Sequence, residues 1–302
     1  MNKIKNQFSI KDLENLTGIK AHTIRIWEKR YNLLEPKRTD TNIRYYDLKN
    51  FKKLLNVSYL NSSGYKISKI SNISDEDILQ LVKETATKND SDNYAVNALK
   101  LAMLNFDQIQ FYKVYDSLLE DKPFHKIFYD VFIPLLSNIG VLWQTDTITP
   151  AHEHFISSLI KQKIILNTEK AAANRNQELQ DTFVLFLPDN EIHEIGLMFI
   201  HYELTQLGYQ SIFLGPSVPM DNLTDLQNYY NNITYISYFT IKPDPENLRS
   251  YLDTFHEVVL KPSQSKLWVL GQIISEVDIN DLPKTITTFK TIKSLSRTIT
   301  NA

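Results

Sequence analysis

The sequence predicts a multidomain chain of three parts in series: an α-helical helix-turn-helix segment with a basic hairpin wing, a helical bundle, and an α/β domain with a doubly wound parallel sheet. Three observations carry that expectation. Residues 1–74 hold a helix, a glycine turn and a second helix, with 15 Lys/Arg against 6 Asp/Glu. From Asp75 to about Asn167 apolar positions recur at helical spacing, with little Gly and no strand alternation. After Asp181, apolar runs of strand length alternate with helical segments, as in parallel βαβ units. At 302 residues the chain is long enough for several parts, each with its own core, and the boundaries are placed at 1–74, 75–173 and 174–302.

Composition narrows the chemistry. Cysteine is absent, which excludes disulfides, thiolate metal sites and a thiol nucleophile, and suits a cytoplasmic protein. No run of about 18 uncharged apolar residues is present, and Met1 to Asn6 lack the apolar stretch of a signal peptide, so no membrane partner is expected. The net charge of −2 conceals a polarity along the chain: with 15 Lys/Arg and 6 Asp/Glu in residues 1–74, the remainder holds 18 against 29. Only the first quarter is suited to a polyanion, because phosphate contacts from Lys and Arg dominate nucleic-acid affinity.

In chain order, Ser9 caps a short helix with Ile10, Leu13 and Leu16 on one face, and Thr17-Gly18-Ile19-Lys20 supplies a tight turn. The second helix runs from about Ala21 to Tyr31. Its Ile24, Trp27 and Tyr31 form one buried stripe, which turns Arg25 and Lys29 to another face. His22 and Thr23 stand at its N-terminal end, the end that usually meets base edges in the major groove. Pro36 to Tyr46 is a basic hairpin-like wing. Asp47 then caps a helix to about Ser62, Gly64 stops it, and Ile67 to Ile70 begins another.

Thr17-Gly18-Ile19, Thr23-Ile24-Arg25-Ile26-Trp27-Glu28, Arg44-Tyr45-Tyr46 and Ser62-Ser63-Gly64-Tyr65-Lys66-Ile67 together resemble the winged-helix domain of the MerR family of transcription regulators. The run Ile24 to Tyr31 is similar to the CarH/LitR-type branch, whose effector domains bind cobalamin. The resemblance implies double-stranded operator DNA as partner, with His22, Thr23 and Arg25 near the bases and Lys37, Arg38, Arg44 and Tyr45 along the backbone. Family members usually carry Gly at the wing tip, where this chain has Thr41-Asn42. Asn tolerates the left-handed region, so the turn is expected to survive.

In the middle part, Asp77, Asp90 and Asp107 are candidate helix starts, and Thr149-Pro150-Ala151 opens the helix carrying Glu153 and His154. Trp143 precedes Glu153 by nine intervening residues. This Trp-x9-Glu-His spacing resembles the helical cap of the same branch, which implies Trp143 against the upper ligand of a corrinoid and Glu153 and His154 hydrogen-bonded to it. A large flat apolar side chain with two rotatable angles suits a lid.

In the last part the expected strands are Thr182–Leu187, Gln210–Leu214, Ile233–Thr240, Lys266–Leu270 and Thr285–Phe289, with helices over Met220–Asn231 and Asp244–Lys261 and a polar linker from Asn174 to Gln180. Glu191-x-His193-x-x-Gly196 follows the first strand, at the carboxyl end where open α/β sheets bind ligands. It resembles the Asp-x-His-x-x-Gly motif of cobalamin-binding domains. By that resemblance His193 is the metal ligand, the lower axial donor to cobalt, Glu191 orients it, and Gly196 lets the backbone pass close to the ring. Imidazole suits such a metal, and a carboxylate on its other nitrogen fixes the tautomer. Ser237 and Gly271 match two further motif positions that line the slot for the displaced nucleotide tail. Phe239 stands where the family has Leu, and Gln272 where it has a second Gly.

The expected function is a DNA-binding transcription regulator whose C-terminal half binds cobalamin, with a light-responsive adenosyl form among the options, to set oligomeric state and promoter affinity, with no catalytic residues. Two alternatives stay open on the sequence. One is a MerR-type regulator whose C-terminal half has lost the cofactor and serves as an oligomerisation or partner module; the other is a corrinoid carrier.

Overall fold

The computed structural model describes residues 7–88, 91–173, 181–276 and 281–300, which form two compact units, Met1–Leu159 and Ile160–Ala302. The linker expected at 174–180 and the helix start expected at Asp90 lie outside the described residues.

The first unit begins with α1 (Ile10–Thr17). The Ser9 hydroxyl accepts from the Asp12 amide, and the Asp12 carboxylate accepts from the Ser9 amide, satisfying two donors that a helix start leaves open. Gly18, at φ 76°, ends it, and α2 (Ala21–Tyr31) follows after two residues. Leu13 and Leu16 of α1 and Ile24 and Trp27 of α2 are buried; Tyr31, expected in the same stripe, is half-buried. The wing is an antiparallel pair, β1 (Lys37–Arg38) and β2 (Arg44–Tyr45), with Lys37 opposite Tyr45 and Arg38 opposite Arg44. Asn42 takes φ 65° at its tip, the conformation expected of it. Next come α3 (Leu48–Ser62), capped by Asp47, and the short α4 (Ile67–Ile70).

The bundle comprises α5 (Asp75–Lys88), α6 (Ser91–Asn105), α7 (Gln108–Asp121), α8 (Phe124–Ile127), α9 (Ile133–Gln144) and the start of α10 (Pro150–Ala172), whose residues from Ile160 on belong to the second unit, with a π-helical turn, Phe128–Phe132, joining α8 to α9. The α5 cap is Ser74, whose hydroxyl accepts from the Asp77 amide, so the helix starts two residues before the Asp77 expected from sequence. Asp107 caps α7 as expected. Phe111, Tyr115, Phe124, Phe128 and Phe132 pack their rings together, with centroids such as Tyr115 to Phe132 6.2 Å apart. The helical run Phe124–Gln144 is long and apolar enough to cross a membrane by length and composition, but it carries Lys126 and Asp130, and Phe128, Val131, Phe132 and Leu135 are spent on the bundle core.

Two polar contacts tie α1 to the bundle within this unit. The Asn15 side chain donates to Thr147 Oγ1 at 3.0 Å, and the buried Lys100 ammonium donates to Asn138 Oδ1 at 3.0 Å and to the Leu16 carbonyl at 3.5 Å. Burial lowers the Lys100 pKa to about 8, because the charged form loses its water.

The second unit contains β3 (Thr182–Phe186), α11 (Ile195–Gln206), β4 (Gln210–Gly215), α12 (Met220–Thr224), β5 (Thr234–Tyr238), α13 (Leu248–Phe255), α14 (Lys261–Ser263), β6 (Lys266–Leu270), β7 (Ile286–Phe289) and α15 (Ile292–Thr300). The described strands run in the order β4-β3-β5-β6-β7, every neighbouring pair parallel. All of β3 is buried, as an inner strand covered on both faces must be. From β3 the chain winds out to β4, then crosses back to β5 on the other side. The carboxyl ends of β3 and β5 therefore flank the topological switch point. Two expected helices are shorter than sequence suggests: α12 passes into a 3-10 turn at Asp225–Asn228, and Asp244–Lys261 is divided among a 3-10 turn, α13 and a π-helical turn at His256–Leu260.

Candidate functional site

The loop after β3 carries Glu191 and His193, and one carboxylate organises it. Glu191 is fully buried. Its Oε1 accepts from the amides of Ile192 at 2.9 Å and His193 at 3.0 Å, and lies 2.6 Å from His193 Nδ1. Its Oε2 accepts from the amides of Thr240 at 3.1 Å, Ile241 at 2.7 Å and Lys242 at 2.9 Å, all in the loop that follows β5. One side chain thus clamps both loops at the switch point. Burial pushes its pKa up, but the His193 imidazole and the converging amides outweigh that and hold it at about 2. Glu191 is an anion at any pH at which the protein works.

The anion dictates what His193 can do. With Nδ1 held as the donor to Glu191, a metal would be ligated through Nε2. The imidazole side chain is 47% exposed, while its partner is wholly covered. Ile192 and Ile241, whose amides both donate to Glu191, are 60% and 51% exposed. Among the described residues no three His, Asp or Glu side chains converge on one point. A single imidazole does not hold a bare ion, but it suits the axial position of a metal already carried in a macrocycle. On that chemistry the loop fits the cobalt of a corrinoid.

The remaining motif positions of this unit are already occupied by the chain itself. Ser237 is buried, and its hydroxyl donates to the Phe186 carbonyl at 2.9 Å. A Cβ built on Gly196 would stand 2.8 Å from the Tyr238 ring, and one on Gly271, at φ 121°, 2.2 Å from the Phe239 carbonyl oxygen. Gln272 is exposed; the atoms nearest Gly271 belong to the Phe239 backbone, while the Phe239 ring lies in the hydrophobic core.

In the first unit Trp143 lies at the end of α9 and is 54% exposed, unlike its buried neighbour Leu142. Glu153 and His154 lie in the first turns of α10, with His154 Nδ1 3.6 Å from Glu153 Oε2 and Ser157 donating to Glu153 Oε1 at 3.0 Å. Trp143 and His154 are both exposed, surface that the bundle core does not use.

On the N-terminal surface His22 and Arg25 are exposed on α2, with Thr23 half-buried. Lys37, Arg38 and Arg44 are exposed on the wing, and Tyr45 is half-buried. Each wing cation is positioned: Lys37 lies 3.2 Å from Asp47, Arg38 donates to Asn42 Oδ1 at 2.8 Å, and Arg44 Nε donates to Glu28 Oε1 at 3.1 Å. The other Glu28 oxygen accepts from the hydroxyl of buried Tyr46 at 2.8 Å, which, with burial, raises the Tyr46 pKa. Sequence reasoning missed the parts of both clusters that hold the rest. Glu28 and Tyr46 could have been found beside Trp27 and Tyr45, but the Thr240, Ile241 and Lys242 donors are backbone amides and leave no side-chain signal.

Residues 8–77 match the profile of the MerR HTH family regulatory proteins, and residues 95–166 match that of a B12 binding domain. The second match contains Trp143, Glu153 and His154. The HTH-type transcriptional repressor CarH of Myxococcus xanthus is 29% identical over 214 residues, 69% of this chain and 70% of that protein. Among solved structures, the monomethylamine corrinoid protein of Methanosarcina barkeri aligns with a TM-score of 0.51 at 14% identity, over 70% of this chain and 99% of its own. That likeness concerns the fold alone. A cobalamin-binding protein from Desulfitobacterium hafniense aligns at a TM-score of 0.32 and 14% identity, over 68% of this chain and 97% of its own.

Proposed function

We propose that this chain, a MerR-type transcription regulator joined to a B12-binding domain, reads operator DNA with residues 1–74 and ligates cobalamin through His193, so that the cofactor sets oligomeric state and promoter affinity. The observation that carries the proposal is the Glu191–His193 pair at the sheet switch point, where a buried anion fixes the tautomer of a half-exposed imidazole. Glu191 positions and His193 ligates. When bound, the cofactor supplies a cobalt centre with an exchangeable upper ligand. Trp143, Glu153 and His154, within 75–173, are the residues we assign to that upper ligand.

His22, Thr23 and Arg25 are assigned to base edges, and Lys37, Arg38, Arg44 and Tyr45 to phosphates. The protein acts by binding and not as an enzyme, as a homo-oligomer in the cytoplasm, in keeping with a curated relative that is a repressor. The cofactor must favour one assembly over another, since a ligand shifts an equilibrium only by its differential affinity.

A DNA target selected in vitro with the full chain provides the test. In the dark, adenosylcobalamin should change the affinity for that target by about tenfold or more, and His193→Ala should abolish the change. Equal affinity with and without bound cofactor would remove the regulatory role.

A further inference from the structure

Within the first unit, α1 is bonded at one end to the DNA-reading helix and at the other to the turn between α9 and α10. Glu14 of α1 holds the start of α2: its Oε2 accepts from the Ala21 amide at 3.2 Å, beside His22 and Thr23. The next residue, Asn15, donates to Thr147 Oγ1 at 3.0 Å, and Thr147 is fully buried although it lies in a turn. That turn is closed by its own backbone. The Asp146 amide donates to the Trp143 carbonyl at 3.0 Å and the Thr147 amide to the Leu142 carbonyl at 2.9 Å, a Schellman-type ending of α9 with Asp146 at φ 53°. On its far side Thr149 Oγ1 lies 2.8 Å from His152 Nδ1, at the start of the helix that carries Glu153 and His154. The residues assigned to the upper ligand therefore flank a turn that α1 holds by a side chain. Lys100 makes a second tie, donating both to Asn138 of α9 and to the carbonyl of Leu16. That carbonyl is in the last turn of α1, where a helix leaves acceptors open. Hydrogen bonds weaken steeply with distance and angle, so a displacement of α9 or its turn breaks these ties rather than stretching them.

We infer that the α9–α10 turn couples the bundle to the DNA reader inside a single chain. A change at the upper ligand that displaces Trp143 shifts Thr147 and Asn138 against Asn15 and Leu16, and α1 passes the shift through Glu14 to the start of α2. This deepens the regulatory reading above and rests on it: promoter affinity responds within each chain and not only through assembly. Asn15, Lys100 and Thr147 are positioning residues, outside the sets assigned to DNA and to cofactor. A buried ammonium costs stability, so the Lys100 tie fixes the geometry of α1 on the bundle more than it adds strength.

The test uses the full chain, the selected DNA target and adenosylcobalamin in the dark, and compares the unaltered protein with Asn15→Ala and the isosteric Thr147→Val. Cofactor affinity, assembly by sedimentation, and the ratio of DNA affinities with and without cofactor are read for each. In the unaltered chain that ratio should be about tenfold or more, and in the variants it should fall below about threefold, with cofactor affinity and assembly unchanged. Lys100→Met, which cuts the other tie, serves if Thr147→Val disturbs the turn. A ratio in the variants equal to that of the unaltered chain would overturn the inference and leave the regulatory reading standing. A ratio of one in the unaltered chain would overturn both. Hydrogen exchange gives a reading that needs no cofactor: in the cofactor-free chain the DNA target should change exchange at the Asp146 and Thr147 amides by about threefold or more, and Asn15→Ala should remove that response. Exchange at these amides indifferent to DNA in the unaltered chain would overturn the inference on its own.

Discussion

Glu28 and Glu191 each hold the side chain of a candidate site residue in place, and they differ in what surrounds them. Glu28, on α2, has a side chain 14% exposed and lies between a half-exposed Arg44 and the buried Tyr46 hydroxyl. Glu191 has no exposure and takes its donors from the amides of two loops and from His193. The difference matches what each held group must do. An arginine proposed to bind phosphate has to exchange its partner for DNA, and the Arg44 side chain held by Glu28 is 41% exposed, so the pair is partly screened. A histidine proposed to ligate a metal must keep one nitrogen fixed while the other binds, and its carboxylate is buried and fully bonded.

The comparison breaks first at Glu191. Replacing it with Ala leaves the part-buried amides of both loops without their acceptor, and unfolding by urea at pH 7 should show the second unit destabilised by about 1 to 3 kcal/mol. Cofactor affinity should fall by about 10- to 100-fold as His193 loses its tautomer. Acid offers an independent view of the same group. Its pKa is held at about 2 in the folded state against an ordinary 4.5. The contribution is therefore complete above pH 4.5 and lost as pH falls towards 2. In Glu191→Gln that acid-dependent loss should disappear from the unfolding curve; its persistence would place the titrating group elsewhere.

At the other end of the chain Arg25→Ala should cost about 1 to 3 kcal/mol on the selected DNA target and little on unrelated DNA, as expected of a base contact. A uniform loss on all sequences would move Arg25 to the backbone. Arg44→Ala is the smallest effect. It removes one phosphate contact, so the slope of affinity against salt should drop by about 1, with stability changed by less than about 1 kcal/mol because the Glu28 pair is partly solvated.

The contrast between the two glutamates also marks what could be read in advance. The helix-turn-helix was legible because its determinants are local: Ser9 and Asp12 cap one helix, Gly18 turns the chain, and Ile24 and Trp27 fall on one stripe. The strand alternation after Asp181 was legible for the same reason, and the motif order placed Glu191 and His193 past the first strand. Long-range closure was not legible. That Glu191 reaches the amides of Thr240 to Lys242, about fifty residues away, follows from the sheet order bringing β3 and β5 side by side. Helix ends over 220–231 and 244–261 were misjudged because 3-10 and π-helical turns keep the helical apolar spacing while breaking the helix.

The central claim is that His193 is the protein ligand to cobalt, and absorption spectra of the full chain with adenosylcobalamin in the dark test it most directly. The unaltered chain should bind the cofactor and show a spectrum typical of nitrogen ligation on the lower face. His193→Ala, folded by circular dichroism, should give the spectrum of cofactor without that ligand, or no binding at all. Identical spectra and affinity for the two proteins would contradict the account and leave Glu191 a structural clamp only.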